Sequence, residues 1–128
     1  MNEKELDAGL PQTPGYRYAK LRGSQLHVAG QVPNDSAGSI VGDDAFAQAQ
    51  QCLTNLTTIL DCYGFNKHDI QQLTIFVVGD QEGLANAWQA IRDHFLEAVP
   101  PATLLGVARL GYEKQLVEID ATVIRGSA

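Results

Sequence analysis

Phe46, Ala49, Leu53, Leu56, Leu60 and Tyr63 recur at spacings of three and four, the period that lays one apolar stripe along an α-helix. Asp43-Asp44 ahead of the stripe offers a side-chain acceptor for the free N–H groups of a first turn, and Gly64 behind it suits a left-handed cap. The pattern predicts one long helix. A second stripe, Leu84, Trp88, Ile91 and Phe95, follows Asp80 as its cap and stops at Pro100-Pro101, because proline lacks the N–H and clashes with the preceding turn.

Elsewhere the period is two. In "SQLHVAGQV", Leu26, Val28 and Val32 fall on one face and Gln25, His27 and Gln31 on the other, which predicts a strand. "TPGYRYAKLRG" ahead of it reads as an irregular entry and a first strand, joined through a hairpin turn at Arg22-Gly23-Ser24. "PNDSAGSIVGDD" is a loop by its turn residues. "QLTIFVVG" at 72–79 is a strand apolar enough to be covered on both sides, and "TLLGVARL" and "QLVEIDATVI" form two more around a turn at Gly111-Tyr112-Glu113-Lys114. In the last strand Val117, Ile119, Ala121 and Val123 share one face, and Glu118, Asp120 and Thr122 the other.

The order is β-β-α-β-α-β-β, an α+β pattern without repeats or an internal linker, in one domain spanning 1–128 whose first 14 residues form a flexible lead. Two helices with one apolar stripe each belong on one face of one mixed sheet. The opposite face is then bare, and the economical cover is other copies of the same chain.

Composition narrows the function more than the fold. Nine Lys and Arg against fifteen Asp and Glu give a net charge of −6, with no basic run to follow a phosphate backbone, so no nucleic-acid partner is expected. The polar start cannot be a signal peptide, no apolar run approaches a membrane span, and Cys52 and Cys62 lie in one helix roughly 15 Å apart, too far to bridge. A reduced, cytoplasmic setting is the default. Asn55 to Thr57 match a glycosylation sequon inside the first long helix, a chance match.

His27, His68 and His94 have no ligand partners at metal spacing, and no Gly-x-Ser-x-Gly elbow or Gly-rich phosphate loop is present. Glu118, a carboxylate mid-strand among apolar neighbours, lies either at a solvated edge or in a cleft, where it could position water. Asn86, two residues before Trp88, is the other polar candidate, although helix asparagines are mostly surface.

"AGQVP" at 29–33, Gly38 with "IVGDD", "QAQQCLTNLTTILDCYG", "LTIFVVGD" at 73–80, "NAWQAIRDHF" at 86–95, "GVARL" at 106–110 and "VEIDATVI" at 117–124 together resemble the Rid (YjgF) family of reactive-intermediate deaminases, some of which carry the name endoribonuclease L-PSP. The resemblance runs from about Gly15 to Arg125. It implies a chorismate-mutase-like fold, a homotrimer whose bare sheet faces meet in a central barrel, and small-molecule clefts between subunits. It also implies hydrolysis of enamines and imines to a keto acid and ammonia without metal or cofactor.

Residue by residue, the implied cleft contains Tyr16, Ala29, Gly30, Asn86, Ala102, Leu104 and Glu118, the last positioning water. Deaminating members carry an arginine after the prolines that grips the substrate carboxylate through both oxygens. Counting back from "GVARL" puts that position at Ala102; counting from "PA" puts it at Thr103. Neither is basic. A serine common before "GQ" is Ala29 here, and a cysteine frequent in the pocket strand is Leu104. The expectation is a small-molecule protein hydrolysing an imine, an enamine or another reactive carbonyl-derived metabolite, with poor activity on 2-imino acids; the alternatives are a non-catalytic ligand-binding or regulatory trimer and, against the charge balance, an endoribonuclease.

Overall fold

The computed structural model describes residues 3–126. Five strands, β1 (Ala19–Arg22), β2 (Gln25–Gln31), β3 (Ile70–Val78), β4 (Ala102–Val107) and β5 (Val117–Ile124), form one sheet in the order β1-β2-β5-β3-β4. Only β3 and β4 run parallel, and that pair needs a crossover. The helix α3 (Gln81–Phe95) supplies it. The long helix α2 (Ala45–Cys62) lies beside α3, against β2 and β5.

Both predicted stripes do what their spacing requires. Ala49, Leu53, Leu56 and Leu60 of α2 and Ile91 and Phe95 of α3 are buried, and Phe46, Tyr63, Leu84 and Trp88 pack around them. The Asp44 carboxylate accepts from Ala47 N at 2.8 Å and the Asp80 carboxylate from Gly83 N at 3.0 Å. Gly64 takes a φ of +76°, which closes α2 without the Cβ clash another residue would meet.

Facing strands contribute Leu73, Ile75 and Val77 from β3 and Val117, Ile119 and Val123 from β5 to the same core, all fully buried. Their alternates Thr74, Phe76, Val78, Glu118 and Asp120 are only half-buried on the other face. In one chain that second face has no covering layer of helices.

Two features go beyond the pattern of the sequence. In the described part of the lead, residues 3–14, a short helix, α1 (Glu3–Asp7), docks on the end of α2. The Tyr63 hydroxyl donates to the buried Glu5 carboxylate at 2.7 Å, Lys4 lies 5.0 Å over the Tyr63 ring, and Leu10 enters the core. The Tyr18 hydroxyl ties Pro11 O at 2.6 Å.

Gln31 is the second. Between Val28, which faces Ala121, and Gln31, which faces Ile119, β2 advances three residues against two on β5. This bulge reverses the alternation. Gln31 therefore turns onto the helix side and is buried, its Nε2 bonded to Ala29 O and its Oε1 without a partner among the described residues.

Candidate functional site

The bulge brings Gly30 against Glu118. A Cβ on Gly30 would sit 2.3 Å from Glu118 Oε2 and 2.8 Å from its Cγ, so the carboxylate lies flat on a backbone that only glycine leaves free. Gly30 is not in a left-handed conformation, and the requirement is purely one of space. Beneath the bulge the buried Cys52 thiol donates to Gln31 O at 3.2 Å and lies 3.6 Å from Val117 O. Burial, then the nearby Glu118 charge, pushes this thiol well above its ordinary pKa, so Cys52 acts as a neutral peg.

Glu118 is half-buried. Burial raises its carboxyl pKa, Gln115 lowers it through a hydrogen bond from Nε2 to Oε1 at 3.4 Å, and Asp120 raises it. Burial prevails and no cation is among these groups. A carboxyl raised in this way can take and return a proton at milder pH than a solvated one.

Tyr16 lies at the rim, 39% exposed, its hydroxyl 3.5 Å from that of Tyr112. Burial, then Tyr112, and more weakly Glu118 raise the Tyr16 pKa far above the usual phenol range. Both the Thr13 hydroxyl, which donates to Tyr16 O, and the Tyr18 anchor fix this segment.

One chain thus brings together Tyr16, Ala29, Gly30 and Glu118. The other named residues lie elsewhere. Ala102 and Leu104 are on the edge strand β4, separated from β5 by β3. Leu104 pairs with Ile75, which pairs with Ile119, all on the helix side, whereas Glu118 aligns with Phe76 and Leu105 on the open side. Leu104 and Glu118 cannot share a pocket within one chain. Ala102 and Thr103, the two positions counted for the arginine, fall on opposite faces in the rows of Leu73 and Thr74. Asn86 sits half-buried on α3.

Two further arginines, Arg17 and Arg109, lie off β4. Arg17 acts on Tyr63 at the α1–α2 corner, away from Glu118. Arg109 is exposed and lines a groove of about 400 Å³ with Tyr112, Gln115 and Leu116. A separate cavity of about 280 Å³ lies between the helices and the 66–70 turn, among Leu56, Leu60, Ile70 and Phe95, and shares no residue with the Glu118 cluster. Among the described residues no three His, Cys, Asp or Glu side chains gather as a metal site, and no helix is long and apolar enough to cross a membrane.

A family model described as Endoribonuclease L-PSP matches residues 10–125. The chain belongs to this family, that of the Rid and YjgF proteins. Among its Rid relatives, a RutC family protein of Pyrococcus horikoshii is 32% identical over 94% of this chain and 96% of its own. A Salmonella typhimurium protein named 2-iminobutanoate/2-iminopropanoate deaminase is 30% identical over 80% of this chain and 81% of its own. The crystal structure of the Escherichia coli YjgF gene product superposes with a TM-score of 0.83 at 29% identity, covering 93% of this chain and 95% of that one. The family match at residues 10–125 spans the whole sheet and both long helices.

The sequence pattern passed over Gln48, Tyr112 and Gln115. Gln48 and Gln115 are 1% and 4% exposed, and no periodicity distinguishes a buried glutamine from a surface one. Asn55 is the exception with a partial signal: the sequon drew attention to it, and its amide donates to Val32 O at 2.9 Å and Asn34 O at 3.0 Å. It anchors the loop that follows the bulge.

Proposed function

We propose that this protein hydrolyses an uncharged imine or its enamine tautomer in clefts completed by neighbouring copies in a homotrimer. The observation that carries the reading is Glu118, a half-buried carboxylate with a raised pKa, held against Gly30 and bonded by Gln115. The deaminase name borne by relatives at 30% identity points to the same reaction class.

The chemistry needs little else. Glu118 takes a proton from a water molecule whose oxygen adds to the C=N carbon and hands that proton to the nitrogen, giving a neutral carbinolamine. It then takes the carbinolamine hydroxyl proton and passes it to the amino group, so that the C=O bond forms, the C–N bond breaks, ammonia leaves and the carboxylate is restored. Water is the only co-reactant. The reading departs from the named relatives at the clamp: β4 presents Ala102 and Thr103 after the prolines, so no guanidinium rises there to pair with a substrate carboxylate. Losing a buried, charge-assisted contact costs about 2–5 kcal/mol, about thirtyfold to several thousandfold in kcat/KM.

The split geometry supports clefts shared between copies. Glu118 and β4's inward side chains lie on opposite faces of one sheet, and a cleft holding both requires the open face of one copy beside the β4 edge of another.

Ammonia release from freshly generated imines tests the reading with three proteins: the natural chain, Glu118→Gln and Ala102→Arg. Turnover of an uncharged imine that Glu118→Gln loses, with 2-imino acids accepted only by Ala102→Arg, is the expected result. Efficient turnover of 2-imino acids by the natural chain would show another group, Arg109 first, holding the carboxylate. Saturable binding without product would make the protein a ligand-binding trimer.

A further inference from the structure

The connection between β4 and β5 is held with more care than a surface turn requires. The Gln48 amide, reaching from α2, donates through Nε2 to Gly42 O at 3.1 Å and Lys114 O at 2.9 Å, and its Oε1 accepts from Leu116 N at 2.6 Å. Gln115 is also buried. Its Oε1 accepts from Tyr112 N at 3.2 Å, and its Nε2 donates to Val117 O at 3.0 Å and lies 3.4 Å from Glu118 Oε1. One buried amide therefore fixes both the backbone of Tyr112 and the carboxylate of Glu118.

The same arrangement sets the Tyr112 hydroxyl 3.5 Å from that of Tyr16. Hydroxyls that bond well to each other approach to about 2.7–2.8 Å. At 3.5 Å the two are barely engaged, and both protons remain available to a third oxygen lying between them. Each hydroxyl is a donor without charge, beside a carboxylate on which no cation acts. A second carboxylate placed there would face Glu118 and Asp120, while the cations of the adjoining groove, Arg109 and Lys114, are exposed and neither acts on Glu118 or Tyr16. A neutral carbonyl oxygen, which accepts from two donors and carries no charge, fits the same place without that repulsion.

We propose that the Tyr16–Tyr112 hydroxyl pair reads a neutral carbonyl oxygen next to the imine carbon, so that the substrates are 2-imino amides or esters rather than 2-imino acids. Gln115 is the positioning residue that keeps Tyr112 and Glu118 in register. This rests on the imine-hydrolase reading and names the substrate class of that site.

The test compares kcat/KM for ammonia release from 2-iminopropanamide and from 2-iminopropanoate, each freshly generated in the assay. The natural chain is expected to prefer the amide by tenfold or more. Tyr112→Phe keeps the ring and removes the hydroxyl; it is expected to raise KM for the amide about fivefold, the usual worth of one neutral hydrogen bond, and to narrow the preference for the amide over the acid. Gln115→Leu is expected to lower kcat and to move the acid limb of the rate profile to higher pH, because the bond that lowers the Glu118 pKa is gone. A merely structural role for Gln115 would lower stability without moving that limb.

Equal or greater efficiency on the acid overturns the neutral-carbonyl assignment and leaves the hydrolase reading intact, as does an amide KM that Tyr112→Phe does not change. Ammonia release from both substrates no faster than with Glu118→Gln overturns the hydrolase reading itself, and this proposal with it.

Discussion

The two faces of strand β3 differ more than their sequence does. Leu73, Ile75 and Val77 are fully buried under α2 and α3, whereas Thr74, Phe76 and Val78, almost as apolar, are half-buried on a side no helix covers. The first face makes the chain fold. The second carries Glu118 and Asp120 beside Phe76 and Thr74, a mixture of apolar and acidic groups that is poor core and good cleft. Stability and chemistry are thus divided between the two sides of one sheet, and substitutions one residue apart should have effects of different kinds.

Ile75→Ala should have the largest effect on the fold, costing about 2–5 kcal/mol for a cavity in a closed core, read from chemical denaturation. Phe76→Asp, next along the strand and on the open face, should leave the helical circular dichroism in place and break the proposed trimer in sedimentation. Equal loss of folding in both variants would mean that the open face also belongs to the core of a single chain.

Gly30→Ala tests the site without disturbing either layer. The new methyl must displace the Glu118 side chain, whose Oε2, Cδ and Cγ all lie within 2.8 Å of it. A carboxylate misplaced by about 1 Å can cost a hundredfold in rate, so turnover should fall at least that far while the melting temperature barely moves.

The smallest effect has an unusual sign. The folded chain binds the Glu118 proton more tightly than the unfolded chain, because burial raises the pKa. Raising the pH above the ordinary carboxylate range therefore costs stability, a cost absent where both states are protonated and complete once the pH passes the raised folded-state pKa. Glu118→Gln removes it and should raise the melting temperature at neutral pH, with the gain vanishing as the pH falls below the ordinary carboxylate range. Activity lost together with stability gained would mark the carboxylate as kept for chemistry.

Most of the architecture was legible because it rests on periodicity. The stripes of α2 and α3, their aspartate caps, Gly64 and the alternation of β5 each state a burial preference in sequence alone, and the structure follows them. The bulge was not legible. "VAGQV" reads as plain alternation, and only the three-against-two register with β5 reveals that Gly30 opens a space for Glu118 and that Gln31 turns inward. The contacts of the lead were hidden for a related reason: its charged residues look solvated, but Glu5 is buried and bonded by Tyr63, 58 positions away. Gln115 and Tyr112 escaped because their value lies wholly in partners that the order of residues does not disclose.

The most direct test of the divided sheet is the mass of the natural chain in solution at neutral pH, measured by sedimentation across micromolar concentrations alongside imine turnover. A particle of three chains, each of 13.8 kDa, with turnover falling as it dissociates on dilution, is the expected result. A monomer that hydrolyses imines at full rate would contradict it, because Glu118 would then work without the β4 edge of a neighbour.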